Sequence, residues 1–455
     1  MQIYDTILEL VGHTPLVRLR KVTAGIACTV AAKVEYMNPG GSVKDRPALR
    51  MLDEAEKAGR LKPGGTIIEP TSGNTGAALA MAAAIKGYRC ILVMPDKMAP
   101  EKFALLRAWG AETVTVPTVA ANSPESYYSV ANRLTAEIPG AYQPNQFDNP
   151  DNPEAHYHST GPEIWEQTDG KIDCFVAGIG TGGTISGTAR YLKEKNPAIQ
   201  IIGADPEGSI YTPGAMPKSY QVEGIGEDFV PRTVNLKIVD EVLNVSDKES
   251  FLMARRLSAE EGILAGGSAG TAVCAALRVA ARMPKDKLVV VLLPDGGRGY
   301  LSKIFNDEWM QSHGYLAPPG HGMTLGDVLD RKGAVAALIT VKKNDCVRTA
   351  IRLMRDNDIS QVPVEGDDGQ MVGSIQETTA MQLVFDHVDI QHKPVSEFMG
   401  RPFPKMDRAT GIEKGFKALS LGSSAIIVRE GDQPVGVLTK ADFIAYLSGE
   451  RSDGD

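Results

Sequence analysis

Cys174-Phe175-Val176-Ala177-Gly178-Ile179-Gly180-Thr181-Gly182-Gly183-Thr184 is an apolar run that breaks into a turn of glycine and threonine. A short continuous apolar segment bounded by glycine reads as a strand buried on both faces, the kind found in parallel sheets. The same rhythm recurs on either side. Thr66-Ile67-Ile68-Glu69 leads into an Ala-rich helical run from Thr75 to Lys86, and Cys90-Ile91-Leu92-Val93-Met94 leads into a helical pattern from Pro100 to Trp109. Ile199-Gln200-Ile201-Ile202 and Leu288-Val289-Val290-Val291-Leu292-Leu293 supply further strands. Alternation of this kind, up to about Met310, predicts an α/β domain whose mostly parallel sheets are covered by helices. Ligands in such folds sit beyond the carboxyl ends of strands, so the turns after the apolar runs are where chemistry is expected.

With 455 residues the chain exceeds what one core usually serves, and two or more domains are expected. A net charge of −8 argues against nucleic acid or an anionic membrane as partner. Met1-Gln2-Ile3-Tyr4-Asp5 lacks the basic start and apolar run of a signal peptide, and no apolar stretch is long enough to span a bilayer. The five cysteines are odd in number and form no CxxC pair, so buried thiols in a reducing cytoplasm are expected.

A breaker-rich segment from His313 to Gly322 reads as an interdomain linker. Beyond it Val362-Pro363-Val364 leads to Val372-Gly373-Ser374-Ile375, and Ala425-Ile426-Ile427-Val428 leads to Val435-Gly436-Val437-Leu438. Gly373 and Gly436 stand 63 positions apart, which suggests two copies of one small α/β unit. The polar tail Gly449–Asp455 is expected to be disordered.

Four turns rich in glycine and small polar residues each follow an expected strand. In Asn38-Pro39-Gly40-Gly41-Ser42-Val43-Lys44-Asp45-Arg46, the helical pattern from Asp45 onward places Lys44 at a helix N-terminus. The dipole there disfavours an ammonium, and a neutral amine is what imine chemistry requires. A solvated surface lysine explains the motif equally well. Pro70-Thr71-Ser72-Gly73-Asn74-Thr75-Gly76 carries more hydroxyl and amide groups than a helix cap needs, and reads as a carboxylate or phosphate cradle. Gly178-Ile179-Gly180-Thr181-Gly182-Gly183-Thr184 matches the dinucleotide fingerprint GxGxxG, with Asp205 placed where a ribose-binding acid belongs. A nicotinamide oxidoreductase is therefore one reading of this turn, although it leaves the Lys44 and Asn74 turns without a role. Leu264-Ala265-Gly266-Gly267-Ser268-Ala269-Gly270 read alone is a capped helix start.

Taken together and in this order, Gly41–Arg46, Pro70–Gly76, Gly180–Thr184 and Gly266–Gly270 resemble the fold-type II pyridoxal phosphate enzymes, specifically the cystathionine β-synthase and cysteine synthase family. The resemblance covers about the first 310 residues. The C-terminal part resembles a tandem CBS-domain (Bateman) module, which cystathionine β-synthases carry and cysteine synthases normally lack. Met94–Met98, Glu223–Gly226 and Pro294–Tyr300 are also closer to the former. The resemblance implies a catalytic domain over 1–312, a linker over 313–323 and a regulatory module over 324–455.

Residue by residue, Lys44 matches the lysine that carries pyridoxal phosphate as a Schiff base and shuttles the α-proton. Asn74 matches the partner of the cofactor's phenolic oxygen. Gly180, Thr181, Gly182, Gly183 and Thr184 match the phosphate loop, and Ser268 matches the partner of the pyridine nitrogen. Thr71, Ser72, Gly73, Thr75, Gln146 and Gly224 match substrate-binding positions. The implied reaction joins serine and homocysteine into cystathionine and water, with hydrogen sulfide as a side product. The alternative on the same scaffold is cysteine synthesis from O-acetylserine and sulfide. A homodimer is implied, with a tetramer open, and neither nucleic acid, membrane nor metal is expected as a partner.

Departures from the family are informative. The N-terminal Cys- and His-bearing extension of the animal enzymes is missing, so haem is not expected. Asn196-Pro197-Ala198-Ile199 stands where those enzymes carry CxxC. Phe147 and Glu227 replace expected tyrosines, and Glu227 either attracts an amino-bearing second substrate or faces water. In the module, Gly436-Val437-Leu438-Thr439-Lys440-Ala441-Asp442 fits the family's nucleotide pattern, with Thr439 and Asp442 placed to hold a ribose. Gly373–Thr379 lacks both groups, so at most one adenosyl site is expected; alternatively the module only packs and dimerises.

Overall fold

The computed structural model describes residues 3–71, 73–96, 100–119, 123–212, 214, 216–317, 322–332 and 338–448. The chain divides into two compact units, Met1–Leu316 and Ala317–Asp455. In the first, the apolar runs form β1 (Leu16–Arg18), β2 (Thr29–Val34), β3 (Thr66–Pro70), β4 (Arg89–Pro95), β5 (Glu112–Val116), β6 (Ala141–Tyr142), β7 (Cys174–Gly178), β8 (Gln200–Pro206), β9 (Glu241–Val245) and β10 (Leu288–Leu293). They build a six-stranded sheet in the order β1-β2-β10-β7-β8-β9 and a four-stranded sheet in the order β5-β4-β3-β6. Only β1 runs antiparallel to its neighbour. Parallel pairing needs helical crossovers, and these cover both faces, which is why Val290, Val291 and Phe175 are fully buried.

Small side chains set how closely the helices approach. Along the helix Gly267–Ala280, Ala269, Ala272, Val273 and Ala276 join β2, β7 and β10 in one core, and each buried valine there stabilises by about 1.5–3 kcal/mol. The helix Asn74–Lys86 starts at Asn74 and ends at Gly87, whose φ of 74° is the left-handed cap that glycine adopts without strain. The four turns end against these helices, although the fourth follows the helix Asp247–Glu261 rather than a strand. The run 264–266 makes only an isolated bridge, Ala265 to Gly296, because the strand position beside β10 is already taken by β2 and β7.

Buried charge pins the start of the helix Asp45–Lys57. Arg46 donates to Glu35 Oε2 at 2.7 Å and Oε1 at 2.8 Å, and to Glu163 Oε1 at 2.6 Å. The buried Lys33 ammonium donates to Glu163 Oε2 at 2.7 Å and to the Thr14 carbonyl at 2.6 Å. Charges removed from water persist only when each finds partners, so this network holds the segment that carries Lys44 in one place.

The segment 313–316, expected as linker, packs on the first unit. The His313 ring stacks 4.1 Å from Trp309, and the Tyr315 ring meets Phe251 at 5.1 Å. The second unit repeats one plan. Strands β11 (Val341–Lys342), β12 (Gln361–Glu365) and β13 (Met371–Gln376) form one sheet, and β14 (Lys405–Asp407), β15 (Ala425–Glu430) and β16 (Gln433–Thr439) form the other. In each, a parallel pair is followed by an antiparallel hairpin. The helix Leu325–Lys332 adds Leu325, Val328 and Leu329 to the core around Ile426 and Val428. Among the described residues no helix is long and apolar enough to cross a membrane.

Candidate active site

Beyond β7 the chain turns sharply into the helix Gly183–Lys195. Gly182 has φ 80°, and a Cβ there would lie 2.3 Å from Val234 Cβ, so only glycine fits. None of the backbone N–H groups from Gly180 to Thr184 donates a hydrogen bond to a described residue. Five unspent donors at a helix N-terminus form an anion cradle. Around it lies an empty volume of about 350 Å³, lined by Val43, Lys44, Gly180, Thr181, Thr184 and Gly224.

Lys44 faces that cleft because its loop is stitched to the end of β10. Val43 N–H donates to the Pro294 carbonyl at 2.7 Å, and Ser42 bridges to Asp295. Asp45 Oδ2 accepts from Gly40 N–H at 2.5 Å and closes the turn. The Lys44 amine has neither hydrogen bond nor ion pair among the described residues. Desolvation lowers its pKa, against the opposing pull of Glu227 and Asp295. The result is an unpartnered amine shifted toward its neutral form, as a nucleophile requires.

Asn74, the first residue of its helix, donates from Nδ2 to Asp295 Oδ2 at 2.9 Å, and Tyr300 donates to the same oxygen at 2.7 Å. Burial raises the Asp295 pKa, and those two donors pull it back down. Its Oδ1 is buried without a partner. A Cβ on Gly266 would sit 2.2 Å from that oxygen, so the fourth turn owes its glycine to Asp295. Two residues on, Ser268 is buried and its hydroxyl bonds no described residue.

The Thr71–Thr75 turn meets a second loop. Thr75 Oγ1 donates to Gln146 Oε1 at 2.7 Å. Gln146 and Asn145 are held by Glu69, which accepts their N–H groups at 3.1 and 2.9 Å. Glu69 is fully buried, and desolvation pushes its pKa up to about 7 against those two bonds. Asn152 Nδ2 donates to the Gln146 carbonyl at 2.8 Å and to Thr181 Oγ1 at 3.0 Å, tying this loop to the cradle. Thr184 Oγ1 lies 3.2 Å from His156 Nε2, and burial holds His156 neutral, well below the usual imidazole pKa.

The structure thus gathers Lys44, Thr181, Thr184 and Gly224 around one cleft, and joins Thr75 to Gln146 beside it. Thr71 is buried at the end of β3, Gly73 is exposed at the helix start, and Ser72 lies outside the described residues. Sequence reasoning assigned no role to Glu69, Asn152, His156, Asp295 or Tyr300. Asp295 could have been found, since it lies two residues past the apolar run 288–293. Asp205, the ribose-binding candidate, is fully buried and accepts from Thr212 N–H at 2.9 Å and Oγ1 at 3.0 Å. Closed off from solvent, its carboxylate cannot meet a dinucleotide. All five cysteines are free thiols. In the second unit Asp442 Oδ2 accepts from Thr439 N–H at 2.6 Å, Thr439 Oγ1 at 2.8 Å and Lys332 Nζ at 3.0 Å.

A free lysine amine, an anion cradle and an unpartnered buried serine hydroxyl fit a phosphorylated aldehyde cofactor. Residues 7–295 match the family model of the pyridoxal-phosphate dependent enzymes, and residues 326–385 match that of the CBS domain. The chain belongs to the pyridoxal-phosphate dependent enzyme family. It is 41% identical to the cystathionine beta-synthase of Dictyostelium discoideum, with 98% of this chain and 92% of that one covered. Identity to the enzyme of the same name is 46% in Oryctolagus cuniculus (99% and 86% covered) and 37% in Saccharomyces cerevisiae (97% of each). The crystal structure of an O-acetylserine dependent cystathionine beta-synthase from Helicobacter pylori is similar at 42% identity, TM-score 0.63, with 67% of this chain and 99% of that one covered. A hydrogen sulfide-producing enzyme from Fusobacterium nucleatum is similar at 36% identity and TM-score 0.63, with 66% and 98% covered. Within the family, this chain stands with the cystathionine β-synthases.

Proposed function

We propose that the chain condenses L-serine with L-homocysteine to give L-cystathionine and water, with pyridoxal phosphate held at Lys44. The observation that carries this reading is the meeting of the desolvated Lys44 amine and the unspent N–H cradle of Gly180–Thr184 in one cleft. When bound, the cofactor supplies the electron sink that acidifies the substrate α-proton and weakens the bond to the β-substituent. Gly180, Thr181, Gly182, Gly183 and Thr184 hold its phosphate. Ser268 meets the pyridine nitrogen with a neutral hydroxyl, and Asn74, oriented by Asp295, meets the phenolic oxygen.

Thr71, Ser72, Gly73, Thr75 and Gln146 take the substrate carboxylate at a helix N-terminus, where N–H groups and the dipole favour an anion. Gly224 borders the path of the incoming thiol. Lys44 Nζ takes the α-proton and later returns it to the same carbon; a neutral amine can do the first and its conjugate acid the second. Lys44 is thus the acid–base at the α-carbon.

Borohydride reduction of the yellow protein, followed by peptide mapping, should label Lys44, and label on another lysine would overturn the assignment. The Helicobacter pylori relative favours a second donor, O-acetylserine. Turnover with serine plus homocysteine should exceed turnover with O-acetylserine plus sulfide, and the reverse would make the chain a cysteine synthase. Hydrogen sulfide release is proposed as a side reaction.

We also propose that residues 1–312 form the catalytic domain, 313–323 the connection, and 324–455 a tandem CBS-domain module in a cytoplasmic homodimer. One adenosyl ligand is placed at Thr439 and Asp442, whose side chains meet at the start of the helix Lys440–Ser448. Calorimetry with S-adenosylmethionine, AMP and ATP tests this: heat that is lost in Asp442→Ala supports it, and no heat with any of the three retires it.

A further inference from the structure

The segment Glu223-Gly224-Ile225-Gly226-Glu227 carries two glutamates in different electrostatic circumstances. Glu223 is neutralised by Lys102 and, at 2.7 Å, by Lys303. Glu227 is not. Its carboxylate makes no hydrogen bond or ion pair with any described residue.

The backbone around Glu227 is clamped. Its N–H donates to Ser209 Oγ at 3.1 Å, and its carbonyl accepts from Ile210 N–H at 3.2 Å. Gly226 N–H donates to the Ile179 carbonyl at 2.7 Å, and Gly224 and Ile225 line the cleft. Glu227 thus stands two residues past Ile225 of the cleft wall, with its side chain only partly exposed. Its carboxylate is close enough to Lys44 for each to shift the other's titration. The other groups that feel its charge are Asp228, Tyr127, Tyr128, Tyr211 and Tyr220. None of these is a cation, and Lys44 is itself driven toward its neutral form.

Among the described residues this half-buried carboxylate, with its acidic and phenolic neighbours, has no cation bonded to it, and burial with Asp228 raises its pKa to about 7. The serine carboxylate has its own place at the Thr71–Gln146 turns, so the unmet charge is left for the reactant that arrives later. On the functional reading above, that reactant is a thiol whose far end carries an α-ammonium.

We propose that Glu227 is a specificity-determining residue of this cleft, its carboxylate taking the α-ammonium of an amino-acid thiol as second substrate. The pairing accounts for a glutamate that the fold otherwise leaves unmatched, and it selects amino-acid thiols over sulfide and simple mercaptans. The contact is an ion pair only, and no bond to Glu227 forms or breaks.

The test uses the full-length holoenzyme with serine and either homocysteine or 4-mercaptobutyrate, which has the same thiol and carboxylate but no amine. Glu227→Gln should raise the KM for homocysteine about tenfold, the loss expected of one charge-assisted contact. It should leave the KM for 4-mercaptobutyrate and the serine-induced colour change in place, and Glu227→Asp should recover part of the homocysteine affinity. In the wild type the homocysteine KM should rise more steeply than the 4-mercaptobutyrate KM as pH falls through about 7, and this excess should vanish in Glu227→Gln. An equal shift for both thiols, an unchanged homocysteine KM, or a weakened response to serine would each overturn the proposal. A wild type that shows no colour change with serine, or transfers to sulfide but to no amino-acid thiol, would sink the functional reading itself, and this inference with it.

Discussion

Asn74 and Asp295 lie 221 positions apart in sequence and meet at 2.9 Å, amide to carboxylate. The pair joins the end of β10 to the first turn of the helix after β3, and so couples the two sheets at the place where they face the cleft. Asp295 also receives the Tyr300 hydroxyl and fills the space that Gly266 leaves open. Asn74 therefore has one amide hydrogen committed to the protein, with its side chain aimed by a buried carboxyl group.

Asp295→Ala should leave two donors without an acceptor and cost about 2–3 kcal/mol of stability. Thermal unfolding should register the loss. Asp295→Asn, close to isosteric, should fold near normally yet turn over at least tenfold more slowly and shift the visible band of the bound cofactor. An unchanged spectrum in Asp295→Asn would show that Asn74 does not depend on this carboxylate for its orientation.

Gly182→Ala places a methyl 2.3 Å from Val234 Cβ at a φ of 80°, so the turn must open. The cradle should then lose its phosphate. Equilibrium dialysis should show pyridoxal phosphate affinity reduced at least tenfold, and substitution of exposed Gly64 by alanine serves as the comparison for a purely local backbone cost, about 1 kcal/mol.

Glu163 is held at a pKa of about 2 although burial alone would raise it, because the Arg46 and Lys33 charges bond its carboxylate. A depressed folded pKa adds stability above the unfolded value of about 4.3, and this is lost as pH falls toward 2. Acid titration monitored by circular dichroism should show unfolding enter in that window. Glu163→Gln should be destabilised by about 3–5 kcal/mol at neutral pH, since it strands the buried Lys33 ammonium and leaves Arg46 with Glu35 alone.

Glu69 behaves in the opposite sense. Its folded pKa is raised to about 7, so the folded state retains a proton that the unfolded chain releases. Stability should therefore decline as pH rises from about 4.3 to 7. Glu69→Gln, which still accepts from Asn145 or Gln146, should lose this dependence, and its Tm should gain on wild type between pH 5 and 8. A constant Tm difference across that range would mean that Glu69 is ionised throughout.

Much of this molecule could be read along the chain. Apolar runs such as 174–177 and 288–293 announced parallel strands, because a strand buried on both faces has no polar alternation to hide it. The four turns stood out because glycine and small hydroxyl residues crowd where a backbone must bend and donate N–H groups. The doubled unit around Gly373 and Gly436 was likewise visible as self-similarity, and its two sheets repeat one strand order. These signals are local, and local geometry follows from neighbouring residues.

What the sequence by itself determined was the class of fold, the order of the turns and the identity of Lys44 as the amine to watch. Only the tertiary structure decided that Asp295 reaches Asn74, that Asn152 ties Gln146 to Thr181, that the fourth turn follows a helix, and that Asp205 is closed off from solvent. The Asn74–Asp295 and Asn152–Thr181 pairings cross between separate strand ends, where no spacing rule operates. The same holds for charge state. Lys44, Glu69 and Glu163 are an ordinary lysine and two ordinary glutamates in one dimension, and their titration is set by how much water the fold removes and which charges it puts beside them.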